Sequence, residues 1–358
     1  VRIAQVSPLF ESVPPRQYGG TERVVSYLTE ELVRQGHDVT LFATGDSVTT
    51  ARLVACSPRS LRGWTDCVDP QVHHVLMLEM VERLAHEFDV IHFHIDYLHF
   101  PIGRRADWPA LTTLHGRLDI PDLQPMYDEF QDAAVVSISE SQRAPLPQAN
   151  WLGTVHHGLP RDLFSFHAAP DDYLAFVGRA SPEKRVDRAI EIARRAGLRL
   201  RIAAKVDQQD REFFETTVRP LLDEPFVDFL GEVGGREKED LIGQARALLF
   251  PIDWAEPFGM VMIEAMACGT PVVAWRAGSV PEVIADGVTG FIVADLDEAV
   301  RAVGRVGELS RARCRAAFEE RYTADRMAAD YLALYARVVR DRRDRPAGTL
   351  DGELGLAG

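Results

Sequence analysis

Residues 256–264 read Glu256-Pro-Phe-Gly-Met-Val-Met-Ile-Glu264. Pro257 cannot continue a preceding helix, and Gly259 allows a tight turn in which backbone can approach a ligand closely. From Met260 the residues Val261, Met262, Ile263, Ala265, Met266 and Ala267 predict a short, mostly buried helix, closed by Gly269 and Pro271. Glu256 therefore sits on the loop before the helix and Glu264 one turn inside it. Two acids beside a helix N-terminus suit a ligand carrying hydroxyls at one end and phosphates at the other.

Working outward, this unit is one of a series. After His167-Ala-Ala-Pro170, the best linker candidate, apolar runs at 173–177, 198–203, 226–230, 247–250, 271–274 and 290–293 read as strands. They alternate with helices beginning near Pro182, Gln209, Arg236, Gly259, Ser279 and Asp295. The N-terminal half repeats the alternation. Strands are expected at 2–6, 38–43, 90–94, 110–114, 133–138 and 154–157, and Thr21 is a candidate N-cap for a helix that Gly36 stops. Two successive series of this kind predict an α/β chain of two doubly wound, Rossmann-like domains facing across a cleft. The expected divisions are 1–168, 169–321, a C-terminal helix over 322–345 packing back on the first domain, and a loosely ordered tail over 346–358.

The chain has 358 residues, 46% hydrophobic and 26% charged, with a formal net charge of −14. That acidity argues against a general nucleic-acid binder, which needs a basic face. The four cysteines, Cys56, Cys67, Cys268 and Cys314, show no ligand-like spacing and read as reduced thiols. Val1–Val6 is a strand pattern rather than a leader, and no apolar run approaches a membrane span. The expectation is a cytoplasmic protein with at most peripheral membrane contact, through the basic stretch 340–345.

Gly178-Arg179-Ala-Ser-Pro-Glu-Lys184 follows a strand and opens a helix. Ligands of open α/β sheets bind beyond the carboxyl ends of strands, where Arg179 can fork onto a diphosphate and Lys184 can add a point charge. On the other half, Gly19 and Gly20 precede a helix and let amide N–H groups approach an anion. The one DxD string, Asp295-Leu-Asp297, falls where a helix is expected to begin, and Asp171-Asp172 and Asp207-Gln-Gln-Asp210 do not match the pattern. His92 and His94 share one strand face, but no third ligand completes a metal set by spacing. Glu282 reads as a first-turn acid favoured by its helix dipole.

Taken together, these elements resemble the retaining GT-B glycosyltransferases of family four, the glycosyl transferases group 1. The resemblance rests on Tyr18-Gly-Gly-Thr-Glu22, Gly36-His-Asp-Val-Thr-Leu-Phe42, Phe88-Asp-Val-Ile-His92, Thr113-Leu-His-Gly116, the 178–184 loop and the 256–264 acid pair. It continues through Ala265-Met-Ala-Cys-Gly-Thr-Pro271, Gly278-Ser-Val-Pro-Glu282 and Asp286-Gly-Val-Thr-Gly290. It implies catalytic roles for His115, Arg179, Lys184 and Glu256. It implies donor binding by Gly19, Gly20, Arg179, Lys184, Glu256, the segment Phe258, Gly259, Met260 and Val261, and Glu264, which would hold the nucleotide ribose. Arg185 departs from the pattern, standing where many relatives carry glycine.

The implied activity is retaining, metal-independent transfer of a hexose-type sugar from a UDP- or GDP-linked donor to a carbohydrate, lipid or small-molecule acceptor, with no further cofactor. The residues alone also admit a glycoside hydrolase built on Glu256 and Glu264, a nucleotide-sugar epimerase, or a catalytically silent nucleotide-sugar binding protein.

Overall fold

The computed structural model describes residues 1–16 and 19–344. Among them the chain forms two wholly parallel sheets. The first contains β1 (Arg2–Val6), β2 (Asp38–Thr44), β3 (Arg52–Ser57), β4 (Val90–Phe93), β5 (Ala110–Thr113), β6 (Ala134–Ser137) and β7 (Asn150–Thr154), in the order β3-β2-β1-β4-β5-β6-β7. The second contains β8 (Tyr173–Arg179), β9 (Arg199–Lys205), β10 (Val227–Gly231), β11 (Ala247–Phe250), β12 (Val272–Trp275) and β13 (Gly290–Val293), in the order β10-β9-β8-β11-β12-β13. Helices cover the faces, as parallel strands buried on both sides require. The strand order reverses between β1 and β4 and again between β8 and β11. Ligands of such sheets bind in the crevices at those two points.

Several expected elements differ. The edge strand β3 is not among the expected strands, although Leu53-Val-Ala-Cys56 is an apolar run. The strand expected at 154–157 lies earlier, at Asn150–Thr154, again an edge strand. Thr21 is not a cap: Gly19 is the N-cap and Gly20 already begins the helix Gly20–Arg34. The helix expected from Pro182 begins only at Val186, because Arg185 occupies the left-handed region with φ 57° and ψ 53°. That conformation favours glycine. Here the arginine is held by Asp187 at 2.8 Å and Asp253 at 2.9 Å.

The chain passes between the lobes earlier than the 168/169 boundary. The expected linker around His167 is already packed on the second lobe: the His167 N–H donates to the Cys268 carbonyl at 3.0 Å, and Phe164 belongs to that lobe's core. The crossing lies near Val155–Leu159. It runs beside the return crossing, with Leu159 N–H donating to Tyr322 O at 2.9 Å and Ala324 N–H to Leu159 O at 2.8 Å. Gly158 makes that contact possible, since a Cβ there would lie 2.3 Å from the Thr323 carbonyl oxygen. The helix Ala324–Arg343 then packs on the first lobe, where Met327, Ala328, Tyr331 and Tyr335 join Ile3, Leu28, Val90 and Leu111 in one core. The tail expectation for 346–358 lies outside the described residues.

Glu282 does not serve its own helix. Its carboxylate reaches the other lobe and accepts from Glu140 N–H and Ser141 N–H, both at 2.7 Å, with His156 Nε2 at 3.4 Å. Burial opposes its charge, but these three contacts outweigh burial and hold its pKa below the usual carboxylate range. A depressed native pKa stabilises this contact between the lobes fully above the unfolded-state value, and the contribution fades as pH falls through the native one. Acid should therefore separate the lobes before either core melts. Small-angle scattering should show this expansion below the carboxylate range, and Glu282→Ala should show it at neutral pH. An acid limb unchanged by the substitution would remove the latch.

Candidate active site in the cleft

The second lobe supplies most of the charge. Arg179 ends β8, and residues 181–184 turn back so that Lys184 precedes the left-handed Arg185. Its ammonium pairs with a Glu256 oxygen, lies 5.2 Å from the Trp254 ring centroid and 5.5 Å from that of Phe250. Trp254 Nε1–H donates to the same Glu256 oxygen at 2.9 Å. Arg179 is engaged on its own loop: it pairs with Glu183, and its Nε lies 3.0 Å from Asp210 Oδ2 without aligning as a hydrogen bond.

Glu264 lies in the helix Met260–Cys268, whose N-cap is Gly259 at φ 78°. The space of a Gly259 side chain is already filled, since a Cβ would meet Met262 Cε at 2.7 Å and Phe250 Cζ at 3.0 Å. Both Glu264 oxygens lie against Lys238 Nζ, at 2.7 and 2.6 Å. Lys238 stands on the helix Gly235–Gly243. Sequence reading missed it, and no local pattern marks it, because its partner is remote in the chain.

The loop carrying Glu256 is clamped from behind. Ser279 N–H donates to Glu256 O at 3.0 Å, and Ser279 Oγ–H donates to Phe258 O at 2.8 Å. Gly278, at φ 52°, packs directly on that backbone. Sequence reading gave this segment no role.

The first lobe supplies the facing wall. His115 follows β5 and stacks on His157 at 5.3 Å between centroids, and His157 meets the Phe258 edge at 4.9 Å. Those rings join His115 to the segment after Glu256. Gln142 holds the loop around His115, donating to Leu114 O at 2.9 Å and Gly116 O at 2.7 Å. Burial pushes the His115 pKa down to about 3, so its ring is neutral at ordinary pH. Gly19 packs against Pro15, which would meet a Cβ at 2.7 Å, whereas nothing lies within 4 Å of the Cβ position of Gly20. Tyr27, on the same helix, packs against both lobes' cores, as does Met260. Arg117 also faces Trp254 across the gap, 6.0 Å from its ring centroid.

Thus Lys184 contacts Glu256 directly, and Phe258, two residues further on, connects to His115 through the His157 ring. Arg179 shares the Lys184 loop, Met260, Val261 and Glu264 share the following helix, and Gly19 and Gly20 start the facing helix. Tyr18 lies outside the described residues. His92 and His94 are hydrogen-bonded to Thr113, Tyr335, Gln5 and His115. No group of three or more metal-ligating side chains converges among the described residues, and no helix there is long and apolar enough to cross a membrane.

Lys238 gives a direct test of the Glu264 corner. Lys238→Met leaves that carboxylate without its cation and free to rotate. Ligand binding through Glu264 should weaken by about 1.5–3 kcal/mol, the scale of a charged hydrogen bond. Titration calorimetry with a nucleoside diphosphate checks this, and unchanged affinity would show that the pair is merely structural.

A family model described as Glycosyltransferase Family 4 matches residues 18–176, and one described as Glycosyl transferases group 1 matches residues 164–320. The D-inositol 3-phosphate glycosyltransferase of Mycolicibacterium smegmatis is 31% identical over 251 residues, covering 63% of this chain and 55% of that protein. The chain thus spans about half the length of that relative. Among solved structures, sucrose-phosphate synthase from Thermosynechococcus elongatus superposes with a TM-score of 0.76 at 19% identity, over 95% of this chain and 99% of that one. Anabaena HepE in complex with UDP-glucose gives 0.69 at 17% identity, over 94% and 99%. These structural likenesses establish a two-lobed GT-B fold.

Proposed function

The chain belongs to the glycosyl transferases group 1 of glycosyltransferase family 4, and on that premise we propose that it transfers a hexose-type sugar from a nucleotide diphosphate donor, with retention and without a metal. The observation that carries the reading is the Lys184–Glu256 pair, set beside Trp254 and facing His115 through His157 and Phe258. A cation meant for phosphate and an acid meant for sugar hydroxyls neutralise each other until a ligand bearing both groups replaces the contact. HepE was solved with UDP-glucose, which favours a UDP-linked donor here.

In this reading Glu264, oriented by Lys238, accepts from the ribose hydroxyls. Arg179 leaves Glu183 and Asp210 for the diphosphate, joined by Lys184 and by the first-turn N–H groups at Met260 and Val261. Charge grows on the departing diphosphate as the bond to the anomeric carbon breaks. Fixed cations and amide dipoles stabilise that charge best where water is excluded. The acceptor hydroxyl attacks from the face of departure. Its oxygen forms the new glycosidic bond, and its proton passes to the leaving phosphate oxygen. Glu256 holds sugar hydroxyls, and His115 lines the side of the ring. Closing the lobes assembles the parts.

A thermal-shift panel of UDP- and GDP-sugars tests the donor. At a hundred times its dissociation constant a true donor adds about 2.7 kcal/mol of stability. The best binder then goes into donor-hydrolysis and acceptor-transfer assays. No stabilisation by any nucleotide sugar, or tight binding without transfer or hydrolysis, would overturn the enzymatic reading.

A further inference from the structure

A chain of buried polar side chains runs behind His115, and the cleft chemistry above leaves most of it without a role. Thr113 Oγ1 lies 2.8 Å from Tyr331 OH and 2.7 Å from His92 Nε2. His92 Nδ1 is 2.8 Å from Tyr335 OH, and Gln5 Nε2 donates to Tyr335 OH at 2.9 Å. Gln5 Oε1 lies 2.8 Å from His94 Nε2, and His94 Nδ1 lies 2.9 Å from His115 Nε2. The last atom, His115 Nδ1, is buried and has no partner.

Each neutral imidazole has one donor nitrogen and one acceptor, so fixing one link fixes the rest. The Gln5 amide N–H₂ donates to Tyr335, which leaves Tyr335 O–H to donate to His92 Nδ1. His92 Nε2–H then donates to Thr113. In the other direction the Gln5 carbonyl can only accept, so His94 carries its proton on Nε2 and accepts at Nδ1. His115 must then donate from Nε2, and its Nδ1 is left bare. Turning the Gln5 amide over reverses every donor in the row, and His115 would then carry its proton on Nδ1. Burial holds the pKa values of His92 and His94 well below the ordinary imidazole range, so both rings are neutral.

We infer that Gln5 is a positioning residue which, through His94, locks His115 as the Nε2–H tautomer and presents His115 Nδ1 to the donor sugar as a hydrogen-bond acceptor for one of its hydroxyls. This rests on the placement of His115 beside the transferring sugar. The other tautomer would present an N–H instead, so the same hydroxyl would have to accept there and turn its own hydrogen elsewhere. The partner that Nδ1 lacks within the protein is then supplied by substrate. Tyr331 and Tyr335 tie the same row to the C-terminal helix Ala324–Arg343, so that helix also bears on His115.

The test is the ¹⁵N–¹H imidazole correlation spectrum of the whole labelled protein, which reports directly which ring nitrogen carries a proton. The wild-type protein is expected to show His94 and His115 with Nε2 protonated and Nδ1 bare. Gln5→Met removes the amide and should leave a mixture of tautomers at both rings. It should also lower kcat by about tenfold or more with little change in donor KM. A wild-type His115 protonated on Nδ1 overturns the inference, whether or not the variants fold. So does a Gln5→Met spectrum identical to wild type at His94 and His115. Neither readout needs turnover, so a failure of the transferase reading shows up separately, in the acceptor assays.

Discussion

Replacement of Lys184 by alanine is expected to slow sugar transfer by roughly a hundred- to a thousandfold, corresponding to about 2.7–4 kcal/mol of lost transition-state stabilisation. The size follows from where the ammonium sits. It is half-buried between the Glu256 carboxylate and the faces of Trp254 and Phe250, where its charge is poorly screened by water. A departing diphosphate gains charge in the transition state, so the loss should appear mainly in kcat. The fold should survive. Lys184 lies on a turn, and Glu256 keeps the Trp254 N–H when its cation is gone. Lys184→Arg should restore only part of the rate, because a planar fork does not occupy the position of a compact ammonium. Initial rates at saturating donor, alongside thermal unfolding, measure both effects. Turnover near that of the wild-type protein in Lys184→Ala would remove the lysine from the reaction.

Gly278→Ala is expected to be nearly as damaging from outside the ligand's reach. The added Cβ would lie 2.3 Å from Glu256 N, 2.4 Å from Glu256 O and 2.7 Å from the Ala255 carbonyl carbon. These are backbone atoms and cannot swing aside. The residue is also at φ 52°, where a side chain is strained. The loop carrying Glu256 must therefore move, and the carboxylate leaves Lys184 and Trp254. An overpacked contact of this kind costs about 1–3 kcal/mol of stability. Misplacing a group that positions substrate by about 1 Å can cost on the order of a hundredfold in rate. Ser279→Ala provides the comparison, since it deletes one hydrogen bond to Phe258 O and adds no bulk. It should lose about 1 kcal/mol of stability and little rate. Equal behaviour of the two variants would show that Gly278 does not set the position of Glu256.

What could be read from the chain alone was whatever is contiguous in it. The turn and helix at 256–264, the strand end and basic loop at 178–184, and most buried strands carry their own signals in glycine, proline and apolar runs. Edge strand β7 carries a weak one, because half-buried positions need not be apolar. Remote partnerships left no trace. Lys238 on Glu264, Asp210 on Arg179, Gln142 behind His115 and Glu282 across the lobes become visible only once the sheets bring distant loops together. Arg185 is intermediate. Its departure from glycine was legible, but the left-handed backbone that gives the departure its meaning was not.

The return of the helix Ala324–Arg343 to the first lobe also bears on how the molecule is made. Tyr331 and Tyr335 fill the core beside Ile3, Val90 and Leu111 and satisfy His92 and Thr113. The half of the protein that leaves the ribosome first is thus the last that can finish folding. It must wait, its inner surface uncovered, while the half synthesised after it closes around its own centre. Nascent chains halted just before Ala324 emerges should therefore protect the later half from protease and leave the earlier half open to cleavage and to chaperones.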